Sequence, residues 1–137
     1  MPPDVRVRVP LDGDDAAGAL GRVHAALTEL WRAAPDVAEV DRIAVETAVV
    51  EVAGNVVEHG ADGLWHGGGL EVRVDADAVV ALLDHDGPVP VIDMDAPMPG
   101  VEAESGRGLP LTRVLVRLEL GPHDGGVRWS LTRPRHP

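Results

Sequence analysis

The first regular pattern in the chain is VRVRVPL at 5–11, where apolar and charged residues alternate. That period of two predicts a half-buried strand, and Pro10 near its end predicts an edge position. The acids of DGDD at 12–15 predict a turn and a helix N-terminus, where the helix dipole favours negative charge. From there to about Ala34, the residues Leu20, Val23, Leu27, Leu30 and Trp31 recur at helical spacing and predict an amphipathic helix. Pro35 and Asp36 punctuate it. A second helix is predicted from about Asp36 to Glu58, with Gly60 as its C-cap. Its apolar residues fall almost all round, so most of it is expected to be buried.

The loop ADGLWHGGG at 61–69 comes next, and its three consecutive glycines imply flexibility or unusual backbone angles. LEVRVD at 70–75 alternates cleanly and predicts a strand. AVVALLD at 78–84 is apolar almost throughout, which predicts a central strand covered on both faces. The link Ala76-Asp77 predicts a hairpin between them. Residues 85–105 hold five acids, four prolines and two glycines, a composition that predicts a long loop of the kind that is usually functional. A third helix is predicted near Gly106 in GRGLPLTRVLVRL, with Pro110 in its first turn. Two strands at about 116–120 and 126–133 are expected across the turn GPHDGG, and the tail PRHP is expected to fray. The order β-α-α-β-β-loop-α-β-β predicts one domain over 1–137. Its expected architecture is a two-layer α/β sandwich, a mixed sheet with helices on one face.

Composition narrows the chemistry. The 137 residues carry a formal net charge of −11, which disfavours duplex DNA or an anionic membrane as a partner. There is no Cys, hence no disulfide, thiolate nucleophile or zinc–thiolate site. There is no Lys, which excludes a P-loop lysine and a Schiff base. Neither serine, Ser105 or Ser130, sits in a nucleophile elbow. No segment reads as a signal peptide or membrane span, so a soluble, cytoplasmic protein is expected.

Three groups of residues remain as candidates. Glu51, Asn55 and His59 are spaced four apart on the second helix and lie near one face. A carboxylate can orient or deprotonate a hydroxyl, and an Asn carbonyl oxygen suits Mg²⁺. Asp84 ends a strand and is followed by His85-Asp86-Gly87-Pro88; a carboxylate there can accept a hydrogen bond from an exocyclic amine. Gly106-Arg107-Gly108 opens a helix, where freed backbone N–H groups and the dipole favour phosphate. Each group also has a plain structural reading, as an exposed helix face, a turn and a helix start.

Their order adds information. An E-x-x-x-N on a helix, an Asp after a strand, a long loop and then G-x-G-L at a helix start resembles the histidine-kinase-like ATPase superfamily. The stretches AVETAVVEVAGNVVEHG (44–60), VVALLDHDGPVP (79–90) and ESGRGLPLTRVLV (104–116) look most like its bacterial anti-sigma factor and serine-protein kinase branch. The resemblance implies ATP and Mg²⁺ as cofactors, with Glu51 as general base and Asn55 as metal ligand. It implies that Asp84 or Asp86 meets the adenine amine, Asp84 being preferred because it continues the alternation from Val80 and Leu82. By the same resemblance Gly87, His59 and Leu109 are nucleotide-contacting positions, Gly106, Arg107 and Gly108 cradle phosphates, and a lid covers the nucleotide at about 88–105. The implied activity is transfer of phosphate to a Ser or Thr of an anti-anti-sigma protein of the sulfate-transporter-and-antagonist type. A sigma factor is the second implied partner, and a homodimer is compatible with the branch.

The chain departs from the family pattern at three places. The usual Asp-x-Gly reads Asp84-His85-Asp86-Gly87, one residue longer. Val89-Pro90-Val91 stands where an aromatic and an Asp are usual. Val127 stands where the last strand often has Thr. These departures support a rival expectation, a non-catalytic module that sequesters a partner with weak nucleotide binding or none.

Overall fold

Among the described residues eight elements follow one another: β1 (Val5–Pro10), α1 (Ala16–Ala33), α2 (Glu39–Glu58), β2 (Gly69–Val74), β3 (Ala78–His85), α3 (Gly108–Leu115), β4 (Arg117–His123) and β5 (Gly126–Pro134). The structure is a computed structural model and describes residues 4–60, 62–90 and 108–137. The strands form one sheet in the order β1-β2-β3-β5-β4. α1 and α2 pack on the sheet, and α3 packs on α2. This is the expected two-layer α/β sandwich with helices on one face. Every strand pairing is antiparallel, where a mixed sheet was expected. Two helices separate β1 from β2, and a helix that runs out followed by one that runs back returns the chain antiparallel to the strand it left.

The register sorts the sheet into two faces. Val7, Val72, Ala81 and Leu131 are cross-strand neighbours, and all four are buried beneath the helices. The adjacent row, Arg8, Glu71, Leu82, Ser130 and Glu119, lies on the opposite, open face. β3 is therefore central but not covered on both faces. Val79, Ala81 and Leu83 are buried, whereas Val80 and Leu82 are half-buried. On that face Arg6, Arg8 and Arg73 surround Glu71.

α1 begins as its acids predict. Asp15 is the N-cap, and its Oδ1 accepts from the Gly18 N–H at 2.8 Å. α2 buries Ala44, Val45, Ala48, Val49, Val52, Ala53 and Val57. These side chains are small, so the helix can lie close to the sheet. Its burial is less complete than expected, since Val40 and Ile43 are 52% and 56% exposed. Gly60 is not its C-cap either. His59 takes that place at φ −91°, with its N–H on Asn55 O, so no left-handed residue is needed.

The β4–β5 turn is tighter than expected. Asp124 and Gly125 both have positive φ, 48° and 80°, the pair required by a two-residue type I′ hairpin. The tail is pinned, not frayed. Arg135 bonds the carbonyl of Asp75 at 2.7 Å and the carboxylate of Asp36 at 3.0 Å. Arg133 and His136 both reach Asp41, a fully buried carboxylate in the first turn of α2.

Burial opposes the charge on Asp41, but the His136 N–H and the side chains of Arg133 and His136 outweigh it. Together they hold the carboxyl below its ordinary value of 3.8. Asp41→Ala strands Arg133 and is expected to cost about 3 kcal/mol in urea unfolding at neutral pH. A depressed carboxylate stabilises above its unfolded pKa, and that contribution is lost as pH falls through the lower folded value. The gap between wild type and variant should therefore close in the acid range below pH 3.8. A gap independent of pH there would contradict the assignment.

Candidate functional site

A cavity of about 780 Å³ lies where the C-terminal end of α2, the end of β3 and the first turn of α3 meet. Its size is that of an ordinary small-molecule site. α2 contributes Asn55, Val56 and His59, and the following loop contributes Gly60, Leu64 and His66. The sheet contributes His85 and Trp129. Asp86, Gly87, Pro88 and Pro90 come from the segment after β3, and Leu109 comes from α3.

Of the residues singled out from the sequence, Asn55, His59, Asp86, Gly87 and Leu109 share this cavity. Glu51 does not line it. Glu51 is exposed on α2 one turn before Asn55, about 6 Å along the axis at 1.5 Å per residue. Gly108 is the first residue of α3. Gly106, Arg107 and most of the expected lid, 91–105, lie outside the described residues.

Asp84 is on the other side of the sheet. It continues the alternation from Val80 and Leu82, but that row faces away from the helices. There Asp84 pairs with Arg128, its cross-strand neighbour, through two hydrogen bonds of 2.7 and 2.8 Å. It lines a separate, shallower hollow with Arg8 and Glu71. The reversal left no mark in the sequence because β3 is apolar on both faces.

The residue that ends the helix-facing row Val79-Ala81-Leu83 is His85. It stands two positions before Gly87, the spacing at which the family carries Asp. Its cross-strand neighbour is Val127. Sequence reasoning missed His85, although counting back from Gly87 and not forward from Asp84 would have found it. His85 is held from both sides: Nε2 accepts from the Trp129 indole N–H at 2.9 Å, and Nδ1 donates to the Asp86 carbonyl at 2.8 Å.

The glycine run 67–69 shapes the same end of the sheet. Gly67 and Gly68 have φ of 72° and 62°. The turn brings its backbone against β3, where Trp65 Nε1–H donates to the carbonyls of Gly67 and Asp84. Gly67 N–H donates to Asp12 at 2.7 Å. The glycines thus serve close approach. Beside them His66 bonds the Asp62 carboxylate, which raises the pKa of the imidazole above its ordinary value. His66 is exposed, so this adds a cation to the cavity wall over a wider pH range without much consequence for stability.

The two-layer sandwich holds a ligand-sized cavity between the helices and one end of the sheet. The family of the histidine kinase-like ATPase domain matches residues 14–119, most of the chain. The protein belongs to that family, which implies an ATP-binding domain. Comparison with curated proteins returns no match. Among the described residues, no helix is long and apolar enough to cross a membrane.

Gly68 offers a direct check on this geometry. A Cβ there would lie 2.4 Å from the Asp84 carbonyl oxygen and would require a strained positive φ. Gly68→Ala is expected to cost about 1–3 kcal/mol in thermal or urea unfolding. Gly63→Ala meets no atom within 4 Å but also has positive φ, so it reads the strain alone. Equal losses in the two variants would contradict the close approach.

Proposed function

We propose that the protein is an ATP-binding regulator that phosphorylates a Ser or Thr of a partner protein, as the anti-sigma factor branch does. One observation carries the reading: Asn55, Asp86, Gly87 and the first turn of α3 face a single cavity of nucleotide size. The residues present fit a nucleoside triphosphate at its phosphate end. Asn55 offers a carbonyl oxygen for Mg²⁺, which prefers oxygen ligands and shares them with phosphate. The N–H groups of the first turn of α3 have no partner within the helix and suit an anion.

Bound ATP with Mg²⁺ supplies a phosphoryl group for transfer. Asn55 holds the metal side of that group, and α3 offsets its negative charge. Glu51 lies outside the cavity and exposed, one turn from Asn55. That position suits a group that orients a hydroxyl brought by another protein and takes its proton. The acceptor is then a small anti-anti-sigma domain in the cytoplasm, and a sigma factor competes for the same regulator.

A second reading, a sequestering module with little use for nucleotide, draws support from Asp84. Its carboxylate is engaged with Arg128 on the open face and does not face the cavity.

Calorimetric titration with ATP, with and without Mg²⁺, separates the two. The kinase reading predicts Mg²⁺-dependent binding that weakens about ten-fold or more in Asn55→Ala, the scale of a lost ligand to a bound ion. Glu51→Ala should retain ATP binding and lose transfer to the partner. Unchanged transfer in Glu51→Ala removes Glu51 from the chemistry, and no binding at millimolar ATP favours sequestration.

A further inference from the structure

The polar atoms that the sheet brings to the cavity are satisfied by one another. Trp129 is buried, and its single indole N–H is spent on His85 Nε2. The other ring nitrogen of His85 is spent on the Asp86 carbonyl. Behind His85, the Trp65 ring meets it edge-on, with centroids 6.1 Å apart and planes at 82°. Trp65 Nε1–H is itself held by the carbonyls of Gly67 and Asp84. Val127, opposite His85 in the register, has no polar side-chain atom. The Asp84 carboxylate is on the open face, and the Asp86 carboxylate turns toward Gly67, where a Cβ would fall 2.3 Å from its Oδ1.

Among the described residues this wall therefore presents flat rings, and its one acceptor without a hydrogen-bond partner, the Asp86 carboxylate, is turned against Gly67. Chemistry of that kind recognises a ring by its shape and faces. It discriminates weakly between isosteres that differ only in an edge group, because neither leaves a buried polar partner unpaired. Resting on the reading that the cavity takes a nucleotide, we propose that the site binds purine nucleoside triphosphates whether the six-membered ring bears an exocyclic amine or an exocyclic oxygen. His85 is the residue that sets this tolerance. It occupies the strand-end position from which a carboxylate would accept from the amine and repel the oxygen.

The test is calorimetric titration of the full chain with ATP, GTP and inosine triphosphate in excess Mg²⁺. The proposal predicts dissociation constants that agree within about three-fold. ATP binding tighter than both others by about ten-fold or more, the scale of a hydrogen bond to a charged acceptor, overturns it. If Asp86→Asn then abolishes that preference, Asp86 is the base-reading residue instead. His85→Asp, checked for folding by circular dichroism, should gain an ATP preference of about ten-fold or more. A folded variant with no such gain overturns the role of His85. The wild-type comparison decides alone if the variant does not fold. Failure of all three nucleotides to bind is a different result: it removes the nucleotide-site reading, and this inference with it.

Discussion

The packing of α2 onto one face of the sheet sets which side chains can reach a ligand. Ala44, Ala48, Val49, Val52 and Ala53 bring the helix against β3 and β5, so every second residue of those strands is committed to the core. A strand has a strict period of two, and where the core row ends, the next residue in the same row reaches the cavity. On β3 that residue is His85; on β5 Trp129, buried in the core row opposite Leu83, reaches the cavity from within that row. Asn55 and His59 meet them from the last turns of α2, whose exit into the Gly60 loop closes one side of the cavity. A one-residue slip of β3 would exchange His85 for Asp84 and change the chemistry of the site completely.

The charges of the chain are distributed around this arrangement. Arginine is its only strong base, and several arginines sit on the open face. There Glu71 gathers Arg6, Arg8 and Arg73, and Asp84 takes Arg128. Such pairs are partly exposed and worth little each, but they fix the face on which the strand-end carboxylate lies. The buried cluster at Asp41 is of another kind. It ties Arg133 and His136 to the start of α2 and so couples the last strand to the helix that carries Asn55.

Much of the fold was legible in the sequence, because the signals were periodic. The stripe Val23-Leu27-Leu30-Trp31 gave α1, the alternation in VRVRV and LEVRV gave two strands, and Asp15 marked a helix start. The shared placement of Asn55, Asp86 and Leu109 followed from a resemblance that depends on motif order. What could not be read was the sidedness of β3. A strand apolar on both faces has no polar row to mark its outside, and Val80 and Leu82 are half-buried on the open face. The docked tail was missed for a related reason: its partner Asp41 reads as an ordinary first-turn acid until the fold brings Arg133 beside it.

The central claim is that the His85–Trp129 side of the sheet, and not the Asp84 side, meets the ligand. The three tryptophans provide the test, since each indole N–H has a different partner. Trp31 bonds Glu46 between α1 and α2, Trp65 bonds carbonyls behind the glycine turn, and Trp129 bonds His85 in the cavity. A proton–nitrogen correlation spectrum during titration with ATP and Mg²⁺ should move the Trp129 indole signal and leave that of Trp31 in place. Saturation that leaves Trp129 unmoved but shifts the Arg128 side-chain N–H would put the ligand on the open face and contradict the account.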